Sequence, residues 1–196
     1  MRLNQVESPA DAERWLAYLD GRWPQRRRVV EHILGIVGVR APARTVELCC
    51  GVGVLGEAIL AASPGEYLGL DRTGTVLEAA RRRLEPYGKR AALVEADLNG
   101  EWDPGWFGGG AGAVVSMQAL HDLGGEAEVS RAYARAAAAL EPGGLLLNAD
   151  LTEGAGEKPG RLLPERHVRL LRDCGLRRVE CTFEDGVFAC CVGWAP

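Results

Sequence analysis

Short apolar runs alternate along the chain with longer stretches in which apolar residues recur every three or four positions. The short runs predict seven strands, at 44–49, 66–71, 91–95, 112–117, 144–150, 177–184 and 187–194. The three- and four-residue spacing predicts helices at 54–62, 74–86, 126–140 and 162–174. Strands that alternate with helices are typical of a parallel sheet covered by helices on both faces.

The last two predicted strands differ from the others, because only a turn at Gly186 separates VECTFED from VFACCVGW. So short a connection predicts an antiparallel hairpin instead of a helical crossover. The pattern therefore predicts an α/β, doubly wound sheet of seven strands that is mostly parallel and ends in a C-terminal antiparallel hairpin.

Ahead of the first predicted strand, the chain has the apolar spacing of two more helices. One is predicted to begin at Pro9 and the other to run from about Gln25 to Val37, with GRWP as the turn between them. We therefore divide the chain into an N-terminal helical lid, residues 1–40, and a domain formed by residues 41–196. Whether these helices cover a ligand or only a sheet edge stays open at this point.

Composition narrows the class of protein. The chain has 196 residues, of which 47% are hydrophobic and 26% charged, enough for one domain with a substantial core. A net charge of −4 supplies no general attraction to nucleic-acid phosphates or anionic lipid. No apolar stretch approaches the roughly 20 residues of a membrane helix, and the N-terminus lacks the apolar core of a signal peptide. We expect a cytoplasmic protein whose partner is a small molecule, not nucleic acid or a membrane.

The six cysteines have neither C-x-x-C metal spacing nor the pattern of a secreted disulfide framework; they are Cys49, Cys50, Cys174, Cys181, Cys190 and Cys191. In a reducing compartment we expect them to be small, buried apolar residues. No metal site is predicted.

The stretch TVELCCGVGVLGEAI breaks a predicted strand with glycines and continues as a helix, and it contains the pattern G-x-G-x-x-G. Three successive predicted strands contain an acid or are followed by one: Glu47, Asp71 and Asp97. Ligands of open α/β sheets bind at the carboxyl ends of the strands, so we expect these acids at one site. A carboxylate that ends the second strand is placed to accept hydrogen bonds from two ribose hydroxyls, and glycines let backbone approach the ligand. The pattern predicts an adenosine-containing ligand.

Five motifs of the chain resemble those of the class I S-adenosylmethionine-dependent methyltransferases, in the branch that acts on small molecules. In order along the chain they are ELCCGVG, LGLD, VEADL, VVSMQALHDL and LEPGGLLL. The resemblance covers about residues 40–196. It implies a Rossmann-like fold, S-adenosylmethionine as cofactor and transfer of its methyl group to a small-molecule acceptor by in-line displacement. The family usually has a glycine where this chain has Cys49. This departure predicts a tighter turn and weaker cofactor affinity.

The resemblance also implies which residues bind the cofactor. Those expected to face its amino-acid part are Glu47, Cys49, Gly51 and Gly53, and those expected around its ribose and adenine are Asp71, Arg72, Thr73, Asp97 and Leu98. Ser116 is expected to approach the ammonium through its carbonyl. An arginine of the lid is expected to pair with the carboxylate, since its planar fork suits that group. The W-x-x-x-R spacing from Trp23 favours Arg27, with Arg26 and Arg28 as alternatives.

Methyl transfer from a sulfonium depends mainly on holding the nucleophile and the methyl carbon in contact, aligned and shielded from water. When the acceptor is a hydroxyl or a protonated amine, a base helps. His121 is the candidate catalytic base, and the alternative is a structural histidine bonded to backbone. The residues expected to bound the acceptor are Trp15, Tyr18, Trp23 and Asp150. The aromatic ones are also ordinary packing residues.

Two alternatives stay open. The glycine pattern and Asp71 also satisfy the fingerprint of an NAD(P)-dependent oxidoreductase. Glu47 argues against this class, because it points a negative charge at a pyrophosphate, whereas a cationic sulfonium and ammonium favour carboxylates. The second alternative is a methyltransferase-like domain that binds S-adenosylmethionine or S-adenosylhomocysteine without turnover, since the reaction has no obligatory side chain.

Overall fold

The computed structural model describes residues 6–196, so residues 1–5 of the predicted lid lie outside the described residues. Within this range the helices are α1 (Pro9–Arg22), α2 (Arg26–Arg40), α3 (Val54–Ala62), α4 (Gly74–Leu84), α5 (Glu126–Ala138) and α6 (Pro164–Asp173). The strands are β1 (Arg44–Leu48), β2 (Glu66–Asp71), β3 (Ala91–Glu95), β4 (Ala111–Met117), β5 (Leu140–Leu151), β6 (Arg177–Glu184) and β7 (Phe188–Trp194).

The strands form one sheet in the order β3-β2-β1-β4-β5-β7-β6. Strands β3, β2, β1, β4 and β5 are parallel neighbours, and β7 lies antiparallel between β5 and β6. The predicted fold, a mostly parallel doubly wound sheet with a C-terminal antiparallel hairpin, is confirmed. The strand order reverses between β1 and β4, and such a switch point opens a crevice at the carboxyl ends of the strands.

The predicted start of the fifth strand was wrong by four residues. Strand β5 begins at Leu140, which is the partner of Ala111, and regular pairing resumes where Ala113 meets Leu145. The intervening segment contains Gly143 with a φ of +71°. A proline and two glycines therefore form an irregularity within the strand instead of a turn that precedes it, as bulges do at the ends of ladders.

Helices cover both faces of the sheet. On one face Val29 of α2 and Ile59 of α3 belong to the same apolar cluster as Val115 of β4. On the other face Tyr133 of α5 and Leu171 of α6 lie in a cluster with side chains from the centre of the sheet. Adjacent strand residues alternate between the two clusters, as the period of a strand requires. Helix α2, although assigned to the lid, is therefore also part of the core.

Helix α1 packs over the glycine turn that follows β1. It begins at a capping residue, Ser8, whose hydroxyl accepts a hydrogen bond from the backbone N–H of Asp11 at 3.2 Å. Its buried Leu16 lies in an apolar cluster with Val52 of the glycine turn and Val76 of α4. This packing holds α1 beside the carboxyl end of β1.

The six cysteines are free, and each is buried or half-buried. Across residues 6–196, no cluster of three or more histidine, cysteine or acidic side chains is arranged to hold a metal ion. No helix among these residues is long and apolar enough to cross a membrane.

Candidate active site

A cavity of about 640 Å³ lies at the carboxyl ends of the strands beside the switch point. The predicted site residues that line it are Trp15, Trp23, Glu47, Cys49, Gly51, Asp71, Arg72, Asp97, Leu98 and His121. The predicted residues outside its lining are Tyr18, Arg27, Gly53, Thr73, Ser116 and Asp150. Residues from both proposed parts of the chain therefore meet at one cavity.

Glu47 is a buried carboxyl group, only 3% exposed. Its Oε2 accepts a hydrogen bond of 2.6 Å from the hydroxyl of Tyr67 on β2. Burial raises the pKa of Glu47 to about 8, and repulsion from Asp71 adds to this, while the Tyr67 hydrogen bond opposes it. The carboxyl group is therefore mostly protonated at neutral pH, and a cation bound beside it will favour its ionised form.

The third glycine of the motif makes the Glu47–Tyr67 contact possible. A Cβ added at Gly56 would lie 2.4 Å from Cζ of Tyr67, closer than the Cβ atoms of folded proteins come to non-bonded atoms. Gly56 thus lets α3 pack against β2 at the distance that brings the Tyr67 hydroxyl to Glu47. Close packing of a helix on a strand is the role expected of the third glycine in this motif.

Asp71, at the end of β2, connects two backbone segments. Its Oδ2 accepts a hydrogen bond from the N–H of Gly51, and its Oδ1 accepts one from the N–H of Thr73, each at 3.0 Å. The first bond fixes the glycine turn, and the second fixes the start of α4. Each oxygen keeps a further lone pair for a ligand. Thr73 lies at the N-terminus of α4 and contributes through its backbone N–H.

Cys49 has a φ of +56°, a left-handed conformation that glycine adopts more easily. The turn at Cys49, which was expected to be tighter, therefore has the backbone geometry of a glycine, although this position carries a side chain. Burial raises the pKa of its thiol well above the ordinary value, so the group is neutral. Next to it Gly51 also has a positive φ, and the indole of Trp15 lies against it. Gly53 begins α3 with a φ of +78°, away from the lining.

Asp97 and Leu98 follow β3 and form another part of the wall. Asp97 is exposed, and its Oδ1 accepts a hydrogen bond of 2.9 Å from the N–H of Asn99. Leu98 is buried and presents an apolar surface. Ser116 near the end of β4 is buried behind the wall, and its hydroxyl has no hydrogen-bond partner among the described residues.

His121 lies in a short 3-10 helix after β4 and is 5% exposed. Its Nδ1 is 2.5 Å from Oδ1 of Asp150, and its backbone N–H donates to Oδ2 of the same carboxylate at 2.9 Å. Its Nε2 lies on the opposite edge of the ring, 3.6 Å from Oδ1 of the exposed Asp122, which lines the cavity. The buried carboxylate thus holds one ring nitrogen and leaves the other toward the cavity.

Asp150 was predicted to bound the acceptor, but the structure places it behind His121, 1% exposed and outside the lining. The reason is the alternation of side chains along β5. Ala149 and Leu151 belong to the cluster with α2 and α3, so Asp150 points to the opposite face, where His121 lies. Its contact is with the histidine ring.

The lid contributes Arg26 to the cavity, and Arg27 does not line it. Arg26 is 7% exposed; its Nε donates to Oδ1 of Asp20 at 2.8 Å and its Nη1 donates to Oε1 of Gln118. Arg27 is exposed and pairs with Glu31 one helical turn away. Tyr18, also predicted at the site, is 46% exposed and turned away from the cavity.

Several lining residues carried no sequence prediction: Leu16, Met117, Gln118, Asp122, Lys158 and Arg161. Gln118 directly follows β4, a position at the sheet edge that was available from the sequence, and its φ is +56°. Lys158 and Arg161 lie in or beside a loop whose sequence, TEGAGEKPG, gives no sign that it returns to the sheet edge.

The family model described as "Methyltransferase domain" matches residues 46–146, just over half of the chain. The chain belongs to the methyltransferase domain family. The predicted family is thereby confirmed, and the dinucleotide oxidoreductase class is set aside. The matched segment of this methyltransferase domain runs from β1 to β5 and includes Glu47, Asp71, Asp97 and His121. Helices α1 and α2 lie outside it, so the cavity joins family elements to an N-terminal addition.

Two curated relatives match parts of this chain. Trans-aconitate 2-methyltransferase from Methylobacterium nodulans is 39% identical over 95 residues, which are 48% of this chain and 35% of that protein. Ribosomal RNA small subunit methyltransferase H from Thermobifida fusca is 44% identical over 70 residues, 35% of this chain and 21% of that protein. The matches span about a third and a fifth of the relatives' length.

Solved structures share the fold. The N-methyltransferase NodS from Bradyrhizobium japonicum, in complex with S-adenosyl-L-homocysteine, superposes with a TM-score of 0.74 at 16% identity. The likeness covers 95% of this chain and 97% of that chain. At this identity it shows the fold alone, and the fold extends over nearly the whole of both chains.

Proposed function

We propose that the protein transfers a methyl group from S-adenosylmethionine to a small-molecule acceptor by in-line displacement. The observation that carries the proposal is the set of acids Glu47, Asp71 and Asp97, which line one cavity at the ends of three neighbouring strands. When bound, S-adenosylmethionine supplies a methyl group whose bond to sulfur breaks with the electron pair left on sulfur. The protein therefore has to bind, orient and shield the reactants.

The residues of the cavity fit this cofactor. Glu47 is a buried carboxyl group whose raised pKa falls when a cation lies beside it, which suits the ammonium of the methionine part. Asp71 is already fixed by two backbone N–H groups, so its free lone pairs are oriented for the ribose hydroxyls. Leu98 offers an apolar surface and Asp97 an acceptor for the adenine. Cys49, Gly51 and Gly53 shape the turn that faces the methionine part.

The carboxylate of the cofactor is assigned to Arg26. Its guanidinium is the buried one of the three adjacent arginines and lines the cavity. Its present partner Asp20 has a side chain that is 67% exposed, so the aspartate can turn to solvent when the cofactor carboxylate takes its place. Arg72, exposed at the rim, and the backbone of Thr73 and Ser116 complete the proposed cofactor contacts.

His121 is proposed as the general base for a hydroxyl acceptor. With the proton of the neutral ring on Nδ1 and donated to the Asp150 carboxylate 2.5 Å away, Nε2 is free to accept the acceptor's proton. The buried carboxylate stabilises the imidazolium that results, much as an aspartate does in hydrolase triads. Asp150 is then a positioning residue, since it acts through His121.

We further propose that residues 1–40 act as a lid and that residues 41–196 hold the catalytic domain. Trp15 lies against Gly51, beside the proposed cofactor site, and Trp23 lies edge-on to Phe188 with ring centres 6.4 Å apart. Both indoles line the cavity and exclude water from it. Trp23 is the aromatic residue that we assign to the acceptor.

A small acceptor is favoured over nucleic acid, although one relative is by name a ribosomal RNA methyltransferase. The net charge of −4 gives no general attraction to phosphate. The other relative is named for a small molecule, trans-aconitate. A cytoplasmic location stays a prediction.

Isothermal calorimetry with S-adenosylmethionine, S-adenosylhomocysteine and NADH tests the cofactor. We expect binding of both adenosyl compounds; micromolar binding of NADH alone would overturn the proposal. Turnover is tested by transfer of a radiolabelled methyl group to a panel of hydroxyl, amine and carboxylic acid acceptors. Tight cofactor binding without transfer to any acceptor class favours the non-catalytic alternative.

A further inference from the structure

Two cations line the cavity on the side of His121. Lys158 and Arg161 lie between β5 and α6, in the segment that returns to the carboxyl ends of the strands. Gly160 packs this segment on the turn that carries His121. A Cβ at Gly160 would lie 2.5 Å from the carbonyl oxygen of His121 and 2.7 Å from that of Gly124, so only glycine fits there. The two cations are therefore held beside the candidate base.

The guanidinium of Arg161 is fixed but incompletely bonded. Its Nη1 donates to the carbonyl oxygens of Ala155 at 2.7 Å and Gly156 at 2.9 Å. Its Nε is buried and has no hydrogen-bond partner in the part of the chain that the structure describes. No carboxylate of residues 6–196 forms an ion pair with it. Buried donors are nearly always bonded, so the unbonded Nε marks Arg161, a residue that lines the cavity, as a side chain with an unused donor.

Lys158 adds a second charge to this side. Its ammonium pairs with Asp122, the residue after His121. Burial lowers the pKa of Lys158, and the positive charge of Arg161 lowers it further. Lys158 is thus paired with a carboxylate, whereas the positive charge of Arg161 has no carboxylate partner among the described residues. The acids Glu47, Asp71 and Asp97 lie in a different part of the cavity wall, at the ends of β1, β2 and β3.

We propose that Arg161 and Lys158 form an oxyanion subsite for the methyl acceptor, so that the acceptor is a small organic anion whose nucleophilic atom lies at His121. The proposal rests on the proposed function for the identity of the neighbouring cofactor. The fork of an arginine, already fixed by two carbonyls, binds planar carboxylates in a bidentate manner and also binds phosphate. Carboxylate and phosphate share this chemistry, and the test separates them.

The test uses the full chain saturated with S-adenosylhomocysteine and titrated in a calorimeter with tricarballylate, succinate or inorganic phosphate. We expect a carboxylate to bind the wild-type protein and to bind Arg161→Gln at least tenfold more weakly. Arg161→Lys keeps the charge but loses the fork, so its affinity should lie between those of the wild type and Arg161→Gln. Arg131→Gln is the matched control, because Arg131 is exposed and pairs with Glu128 on α5. Tighter binding of phosphate supports the subsite and assigns it to a phosphorylated acceptor.

Two results overturn the proposal: no anion binds the wild-type protein, or Arg161→Gln binds the anions as the wild type does. Thermal unfolding of each variant checks that it is folded. If Arg161→Gln does not fold, the comparison of Arg161→Lys with the wild type still provides the test. Failure of S-adenosylhomocysteine to bind counts against the proposed function instead. In that case the same titrations of the unliganded protein still decide whether the anion subsite exists.

Discussion

Asp150 lies directly behind His121 and holds it twice, through the ring Nδ1 at 2.5 Å and through the backbone N–H at 2.9 Å. The carboxylate also accepts a hydrogen bond from the backbone N–H of Leu151 at 2.8 Å. A histidine bonded only to backbone would explain His121 as a structural residue. A buried carboxylate on one ring nitrogen, with the other nitrogen toward the cavity, instead resembles the arrangement of a general base and supports the role proposed for His121.

Asp150→Asn is therefore expected to lower kcat by about 10²–10⁴-fold for a hydroxyl acceptor. The amide has one acceptor oxygen in place of two, so it cannot hold both the ring and the backbone of His121 in the same way. Cofactor affinity, measured by calorimetry, should stay unchanged. The pH profile of kcat should lose the limb due to His121, and the double variant with His121→Ala should be no slower than the slower single variant. An unaltered pH profile would show that Asp150 has only a structural role.

Glu47 predicts that cofactor binding depends on pH. Its pKa of about 8 means that the free protein carries a protonated carboxyl at lower pH, whereas a bound ammonium requires the ionised form. Binding then releases a proton from Glu47 below pH 8, so the contribution of Glu47 makes affinity rise with pH by up to about tenfold per unit until pH 8 and then levels off. Calorimetry in buffers of different ionisation enthalpy counts the released proton.

Glu47→Gln is the control for that experiment, because it removes the titrating group and leaves the ionisation of the ligand's own amine. The difference in cofactor affinity between wild type and Glu47→Gln should show the pH dependence due to Glu47. Tyr67→Phe removes the hydrogen bond that lowers the pKa of Glu47, so the rise should move to higher pH. Identical pH profiles for wild type and Glu47→Gln would remove Glu47 from the ammonium site.

The secondary structure was largely predictable from the sequence because most elements have a clear period and many are preceded by a glycine or proline. The exception, the start of β5 at Leu140, arose because the segment EPGG is typical of a break but forms a bulge. The acids at the carboxyl ends of β1, β2 and β3 were predictable for a topological reason. Parallel strands bring their carboxyl ends to one edge whatever their order in the sheet.

Some site residues lie elsewhere than the sequence predicted, because their positions depend on the orientation of side chains and loops. The direction of the Asp150 side chain follows from the alternation of side chains along β5. The sequence gives this alternation, but not which face of the strand meets which helices. The loop with Lys158 and Arg161 had no such signal, because its position depends on the contact of Gly160 with the backbone of His121, a long-range feature. Local propensity does not contain this information.

Asp71→Ala is expected to weaken cofactor binding by about 1–3 kcal/mol, through lost ribose hydrogen bonds and a loosened glycine turn. Glu95→Ala is the matched control. Glu95 is the register partner of Asp71 on β3, also ends its strand, and does not line the cavity. Calorimetry with S-adenosylhomocysteine should show full affinity for the control and reduced affinity for Asp71→Ala. Equal affinities would mean that the ribose lies elsewhere.

The choice between Arg26 and Arg27 gives a prediction with an internal control. Arg26 shares the inward face of α2 with the buried Val29, Ile33 and Val37, whereas Arg27 points outward. The phase of the helix therefore selects Arg26, although the spacing from Trp23 favoured its neighbour. We expect Arg26→Gln to weaken S-adenosylmethionine binding at least about tenfold, since it removes a charged hydrogen bond, and Arg27→Gln to leave binding unchanged.

Decarboxylated S-adenosylmethionine separates recognition of the carboxylate from a general effect on the lid. Arg26 also bonds Asp20 and Gln118, so its loss can disturb the junction between α1 and α2. If Arg26 binds the carboxylate, wild type and Arg26→Gln will bind the decarboxylated compound with similar affinity, because the compound lacks the group that the arginine recognises. An equal loss for both compounds would assign Arg26 to the architecture of the lid and leave the carboxylate to another cation of the cavity.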